Sequence, residues 1–183
     1  TLGLLLCGKD DHCRVTGIEL DEKAHLEALE NIRRNQLASR MESICADLRS
    51  VSERFSPGSF SCCISNPPYF SGGPASTRHP TARREDTCTS ADLFRSAGRA
   101  LKYGGDFYLV HRPERLAEIC GIAAKYDMAP KRLCLLRHRE AGPVSLILMQ
   151  CRKGGKHGLT WEEACLYDQN EEPTPYYRSL YHL

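Results

Sequence analysis

The feature that limits the fold most is a short apolar segment that stops at two consecutive prolines. Phe60 to Ser65 has the composition of a buried strand, and Asn66-Pro67-Pro68-Tyr69 follows it directly. Each proline ring fixes φ, and neither proline nitrogen can donate a hydrogen bond to a neighbouring strand. The sequence therefore predicts a strand over residues 60–65 that ends in a rigid turn.

Strand and helix patterns alternate along the rest of the chain. Strands are predicted at 14–20, 43–46, 60–65, 106–110, about 131–138 and 144–152. Helices are predicted at 1–7, at 22–36 after an Asp21 cap, from a Thr89 capping box to Gly104-Gly105, and from Pro113 onward. This order favours an α/β fold with a mainly parallel sheet, and the last two strands favour an antiparallel hairpin at a sheet edge.

The length of 183 residues predicts one domain, which we place at 1–156, followed by a tail of unknown role at 157–183. Apolar runs are far shorter than the roughly 20 residues of a membrane span. The ten cysteines show no CxxC pair and no zinc-ligand spacing with histidine, so no metal site is expected. We expect buried, reduced thiols and a cytoplasmic location.

Charge is spread unevenly along the chain. Residues 78–156 carry 16 basic and 8 acidic side chains, whereas residues 157–183 carry 1 basic and 5 acidic. A segment this basic indicates either a polyanionic partner or a solvated basic face. The candidate contacts with a polyanion are Arg78, Arg83, Arg84, Lys131, Arg132, Arg137, Arg139, Arg152, Lys153 and Lys156.

Asn66-Pro67-Pro68-Tyr69 combines groups that suit a planar amine. Ligands of parallel sheets bind beyond the carboxyl ends of the strands. There the Asn66 amide oxygen and the Pro67 carbonyl oxygen could accept both hydrogens of an NH2 group. Tyr69 could stack on an attached ring. The alternative is a turn that only terminates the strand.

Two acids lie at the ends of other predicted strands. Glu19 closes the strand over 14–20, and Asp47 follows the strand over 43–46. An acid at the end of the second strand of such a unit commonly accepts ribose hydroxyls, and Asp47 could accept an adenine amine. Each acid could also be a helix cap or a surface residue.

With these residues in view, the chain resembles class I S-adenosylmethionine-dependent methyltransferases that methylate amines. Their fourth motif, (D/N/S)PP(Y/F), matches Asn66 to Tyr69. Within that class the chain looks like bacterial tRNA adenine-N6 methyltransferases that act on valine tRNA. This closer match runs through Phe70, Gly72-Gly73 and Ala82-Arg83-Arg84-Glu85.

The resemblance implies a Rossmann-like sheet with helices on both faces, S-adenosylmethionine as cofactor and tRNA as partner. Residues 1–6 resemble the helix after the family's glycine-rich loop, so we expect that loop and the first strand to lie upstream of this chain. By position the cofactor residues are Glu19, Leu20, Asp47, Leu48 and Asn66. The residues that hold the target amine are Asn66, Pro67, Pro68 and Tyr69, and those facing RNA are Phe70, Arg78, Arg83 and Arg84.

Two alternatives stay open. A protein methyltransferase acting on the side-chain amide of glutamine would use the same tetrapeptide, because that amide also presents an NH2 group. A non-catalytic RNA-binding domain would keep the fold without turnover. A DNA adenine methyltransferase is disfavoured, since no target-recognition domain is visible in 183 residues.

Overall fold

The computed structural model describes residues 2–67 and 88–181, which form two sheets with six α-helices between and around them. The strands are β1 Val15–Glu19, β2 Met41–Cys45, β3 Phe60–Ser65, β4 Leu101–His111, β5 Met128–Arg139, β6 Val144–Lys153 and β7 Thr160–Tyr167. The helices are α1 Leu2–Lys9, α2 Glu22–Arg34, α3 Val51–Arg54, α4 Ser90–Ala100, α5 Leu116–Lys125 and α6 Pro175–Tyr181. Within these ranges no helix is long and apolar enough to cross a membrane.

The smaller sheet consists of the parallel pair β1 and β2, and the larger has the order β3-β4-β6-β5-β7. In the larger sheet β3 runs parallel to β4 and β7 runs parallel to β5, whereas β6 is antiparallel to both of its neighbours. This α/β arrangement confirms the predicted fold class, including the antiparallel hairpin of β5 and β6. The hairpin does not lie at the edge, because β7 pairs with the outer side of β5.

Local signals fix several elements where they were predicted. The Asp21 carboxylate caps α2 by accepting a hydrogen bond from the Ala24 amide at 3.0 Å. Thr89 and Asp92 form a reciprocal capping box at the start of α4. A capping residue of this kind contributes about 1 kcal/mol of helix stability.

The predicted end of α4 is wrong. The helix stops at Ala100, and β4 begins at Leu101 rather than at Asp106. Between Leu101 and Asp106 the strand departs from its register with β3 and then rejoins it. Gly104 has a φ of +79°, and a Cβ on Gly105 would come within 3.0 Å of the Ser61 carbonyl oxygen. The two glycines therefore allow an irregularity inside a strand instead of ending a helix.

The main core lies between the larger sheet and the pair α4 and α5. Phe94 of α4 meets Phe107 of β4 edge to face, with ring centroids 5.1 Å apart. Ile119 of α5 and Ile147 of β6 are fully buried in the same cluster. On the opposite face of the sheet, α6 packs against β7 and brings Tyr176 close to Cys134 of the neighbouring strand β5. Helices thus cover both faces, as predicted.

The cysteine prediction is confirmed in part. All ten cysteines are free thiols, and Cys7, Cys134 and Cys151 are buried. Burial raises the pKa of the Cys151 thiol to about 12, which suppresses the reactive thiolate. Cys45 and Cys62 are exposed, contrary to the expectation. Strand alternation turns Cys62 away from the main core, against which the neighbouring Cys63 packs.

The acidic tail pairs with the basic strands. Residues 160–167, part of the tail that the sequence left unassigned, form β7 and bring Glu162 to Arg132 at 3.3 Å and Glu163 to Arg137 at 3.2 Å. Arg139 meets Glu171 at 2.6 Å. Three arginines of the basic segment are therefore paired with acids of the tail.

The ion pair between Asp106 and Arg152 provides a test of how β4 and β6 are joined. Arg152 donates two hydrogen bonds to the Asp106 carboxylate, at 2.8 and 3.0 Å, across a registered residue pair. These bonds hold the pKa of Asp106 below its usual range. The stabilisation is therefore complete above the unfolded-state pKa of about 3.9 and is lost as pH falls through the lower folded-state pKa.

We expect Asp106→Asn to lower the free energy of unfolding by about 0.5–1 kcal/mol at pH 7, because the pair is partly exposed. Urea unfolding at pH 7 and near pH 3 measures the effect, which should shrink at the lower pH. Glu27→Gln is the matched control, since Glu27 is exposed on α2 and forms no ion pair with residues 2–67 or 88–181. A loss of stability independent of pH would contradict the assignment.

Candidate active site at the carboxyl ends of the strands

Glu19 and Asp47 lie at one edge of the smaller sheet, as the sequence predicted. Because β1 and β2 are parallel and pair Glu19 with Cys45, their carboxyl ends coincide. The Ala46 amide donates a hydrogen bond to the Glu19 carbonyl oxygen at 2.9 Å, which extends the pairing of β1 with β2 by one residue. The two carboxylates therefore emerge side by side from neighbouring strand ends.

The Glu19 carboxylate keeps one oxygen available. Oε1 accepts a hydrogen bond from the Asp21 amide at 3.0 Å, whereas Oε2 accepts none from residues 2–67 or 88–181. Leu20 follows and is 48% exposed. A fixed carboxylate with a free oxygen beside an exposed apolar side chain suits a ligand that has hydroxyl groups attached to an apolar or aromatic ring.

The Asp47 carboxylate is already engaged. Its oxygens accept hydrogen bonds from the Arg49 guanidinium and from the Arg49 amide, the latter at 2.8 Å. These bonds lower the pKa of Asp47, so the carboxylate is ionised at neutral pH. Sequence reasoning did not foresee this ion pair, although a basic residue two positions after a capping acid is a local signal for it.

Leu48 begins a 3₁₀ turn, Leu48–Ser50, that follows β2 in the chain and packs against α4. Its side chain packs against the main core, and its carbonyl accepts a hydrogen bond from the Ser96 hydroxyl at 3.0 Å. The predicted cofactor residues after β2 are therefore held against the helix that also packs on β4.

Asn66 and Pro67 lie at the carboxyl end of β3, in the larger sheet. Strand β3 ends at Ser65, which pairs with Leu109 of the parallel strand β4. Asn66 is exposed and Pro67 is half-buried. The exposed side-chain amide of Asn66 therefore lies just beyond the carboxyl ends of two parallel strands, the position where sheets of this kind bind ligands.

Several predicted site residues lie outside the described residues: Pro68, Tyr69, Phe70, Arg78, Arg83 and Arg84. Their roles remain predictions. Of the later basic cluster, Arg132, Arg137, Arg139 and Arg152 form ion pairs within the protein. No group of three potential metal ligands occurs in residues 2–67 and 88–181.

A basic concavity next to Asp47 escaped sequence reasoning. It has a volume of about 520 Å³ and is lined by Arg49, Arg95, Ser96 and Arg99. The signal in the sequence was the spacing of Arg95 and Arg99, which places two like charges on one helical face.

Comparisons with known proteins agree with this geometry. A family model described as methyltransferase small domain matches residues 1–118. The tRNA1(Val) (adenine(37)-N6)-methyltransferase of Shewanella halifaxensis is 30% identical over 132 residues, 71% of this chain and 52% of that protein. The enzyme of the same name from Bacteroides fragilis is 31% identical, over 70% and 55% of the two chains. The chain thus spans about half the length of these curated relatives.

Solved structures show the same fold. The crystal structure of a predicted O-methyltransferase from Agrobacterium tumefaciens matches with a TM-score of 0.80 at 20% identity, covering 98% of this chain and 82% of that one. A geranyl diphosphate C-methyltransferase from Streptomyces coelicolor matches with a TM-score of 0.59 at 12% identity, over 82% and 66% of the two chains.

Replacing Arg49 tests the origin of the lowered pKa of Asp47. In Arg49→Gln the carboxylate loses its guanidinium partner, so the pKa of Asp47 should rise toward the usual value of about 3.9. Carboxyl-carbon NMR titration measures it, with Asp106 as the internal control because its partner is Arg152. An unchanged Asp47 titration would show that the ion pair does not form in solution.

Proposed function

Because the chain belongs to the methyltransferase small domain family, we propose that it transfers a methyl group from S-adenosylmethionine to the exocyclic N6 amine of an adenine in tRNA. The observation that carries this proposal is the position of Asn66 and Pro67. They follow β3 directly, at the carboxyl end of a parallel strand pair, with the Asn66 side chain exposed.

Asn66 and the Pro67 carbonyl would bind the amine by its hydrogens. The lone pair of an adenine amine is delocalised into the ring, which makes the nitrogen a weak nucleophile. Two oxygen acceptors would hold both N–H bonds and direct the lone pair away from them. Alignment of this kind can supply roughly 7–11 kcal/mol in favourable cases, which makes positioning the main contribution of these residues.

The residues around Glu19 fit S-adenosylmethionine. The free Oε2 of Glu19 would accept hydrogen bonds from the ribose hydroxyls, and exposed Leu20 would pack against the apolar part of the nucleoside. Asp47 and Leu48 would lie at the adenine. When bound, S-adenosylmethionine supplies an electrophilic methyl group whose thioether leaving group is neutral. The proton that the amine loses can pass to water, because Asn66 is exposed.

The names of the relatives support an RNA amine over other amines. Both curated relatives are named for methylation at N6 of an adenine in tRNA. A flipped adenine would stack on Tyr69 or Phe70, and Arg78, Arg83 and Arg84 would contact phosphates without reading sequence. The ten free thiols fit the reducing cytoplasm, where tRNA is found.

Transfer of labelled methyl groups from S-adenosylmethionine tests the proposal. We would offer total tRNA and, in parallel, a mixture of ribosomal release factors, and then digest the products. Label in N6-methyladenosine is the expected result. Label on protein glutamine would retain the role of Asn66 and refute the RNA substrate, whereas no label in either, despite cofactor binding, would favour a non-catalytic binding domain.

Asn66→Ala tests the role of the side-chain amide. Removing a hydrogen-bonding group that aligns the reacting centre should lower methyl transfer at least about 100-fold, by analogy with the loss of one oxyanion-hole donor. Binding of S-adenosylmethionine, measured by calorimetry, should weaken far less than methyl transfer, because Asn66 is one of five proposed cofactor contacts. Asn31→Ala is the matched control, because Asn31 is exposed on α2. Full activity in Asn66→Ala would refute the mechanism.

A further inference from the structure

The basic concavity beside the 3₁₀ turn Leu48–Ser50 has no role in the mechanism above. Of the four residues within 2–67 and 88–181 that line it, three are arginines: Arg49 from the turn and Arg95 and Arg99 from α4. The fourth, Ser96, joins the two elements through its hydrogen bond to the Leu48 carbonyl. The geometry points to a binding site for a phosphate group of the RNA backbone, an inference that rests on the proposed tRNA substrate.

The spacing of Arg95 and Arg99 has a structural cost. They are four residues apart on α4, and like charges at this spacing destabilise a helix. The opposite face of α4 buries Phe94 and Ala97 in the main core, so burial does not require arginine at either exposed position. The Arg95–Asp92 ion pair offsets part of this repulsion, and an anion bound between the two guanidinium groups would reduce the remainder.

Two of the three guanidinium groups are offset by carboxylates that lie outside the concavity. Arg49 and Arg95 form ion pairs with Asp47 and Asp92, but neither aspartate lines the concavity. The pairs hold the two guanidiniums in place, and Nη1 of Arg49 makes no hydrogen bond to residues 2–67 or 88–181. The Arg99 side chain forms no ion pair with any residue in those ranges.

In forming no ion pair with the described residues, Arg99 differs from the arginines of the larger sheet. The arginines on β5 and β6 face carboxylates of the same sheet, as described for Arg132, Arg137 and Arg152. Guanidinium groups match the oxygens of a phosphate in pairs, so several that line one concavity can share the two non-bridging oxygens of a phosphodiester. The choice of a phosphate rather than a carboxylate follows from the proposed tRNA substrate. Because Arg49 forms an ion pair with Asp47, the site would hold the RNA backbone next to the proposed cofactor residues Asp47 and Leu48.

The inference is tested by measuring the affinity for tRNA over a range of salt concentrations. The variants are Arg99→Gln and the double variant Arg95→Gln/Arg99→Gln. Each lost contact should weaken tRNA binding about tenfold at low salt, as expected for a hydrogen bond to a charged group. The slope of log Kd against log salt should fall by about one unit per arginine. Arg33→Gln is the control: it removes the same charge from exposed α2, and Glu30 retains its pair with Arg34.

The outcomes separate this inference from the proposed function. Unchanged affinity and slope in both variants, or a loss equal to that of Arg33→Gln, would overturn the phosphate site even when the protein methylates tRNA. A reduced slope in the variants would support the site even when the methyl label appears on protein. Absence of tRNA binding by the unchanged protein would overturn it as well.

Discussion

The contact between Phe94 and Phe107 is the interaction on which the rest of the structure depends. Phe107 lies on β4, which pairs with β3 on one side and β6 on the other, and its ring packs edge to face on α4. A slip of one residue in β4 would turn Phe107 to the other face of the sheet. Removing such a ring costs about 3–5 kcal/mol, a large part of the 5–15 kcal/mol that stabilises a typical domain. The register of β3, and with it the position of Asn66, follows from this burial.

Helix α4 connects the two halves of the candidate site. Its buried face packs on β4 and so supports the strand pair that ends at Asn66. Its Ser96 hydroxyl bonds the Leu48 carbonyl and so supports the segment after Asp47. The same helix presents Arg95 and Arg99 to the basic concavity. One helix therefore links the proposed amine site, the proposed cofactor edge and the proposed phosphate site.

Local signals in the sequence predicted local structure well. They did not predict which distant strands pair with one another. The Asp21 cap and the apolar periodicity after it defined α2, and the diproline defined the end of β3. Gly105 gave the wrong end for α4, because its role depends on the approach of the Ser61 carbonyl from another strand. Charge sums left a polyanionic partner and a solvated basic face as alternatives for residues 78–156, and they did not reveal that the pairing of β5 with β7 brings Arg132 and Arg137 to acids of the tail. The roles of Asn66 and Glu19 stay predictions, since position alone does not measure binding.

The ion pair of Asp47 and Arg49 does not conflict with a role for Asp47 in binding adenine. An exposed pair of this kind contributes roughly 0–1 kcal/mol, because water screens the charges and the side chains lose entropy. A hydrogen bond from an adenine amine to a carboxylate contributes about 1.5–3 kcal/mol. Exchanging one partner for the other is therefore nearly balanced or favourable. The Arg49 amide, at 2.8 Å from the carboxylate, would hold Asp47 in place during that exchange.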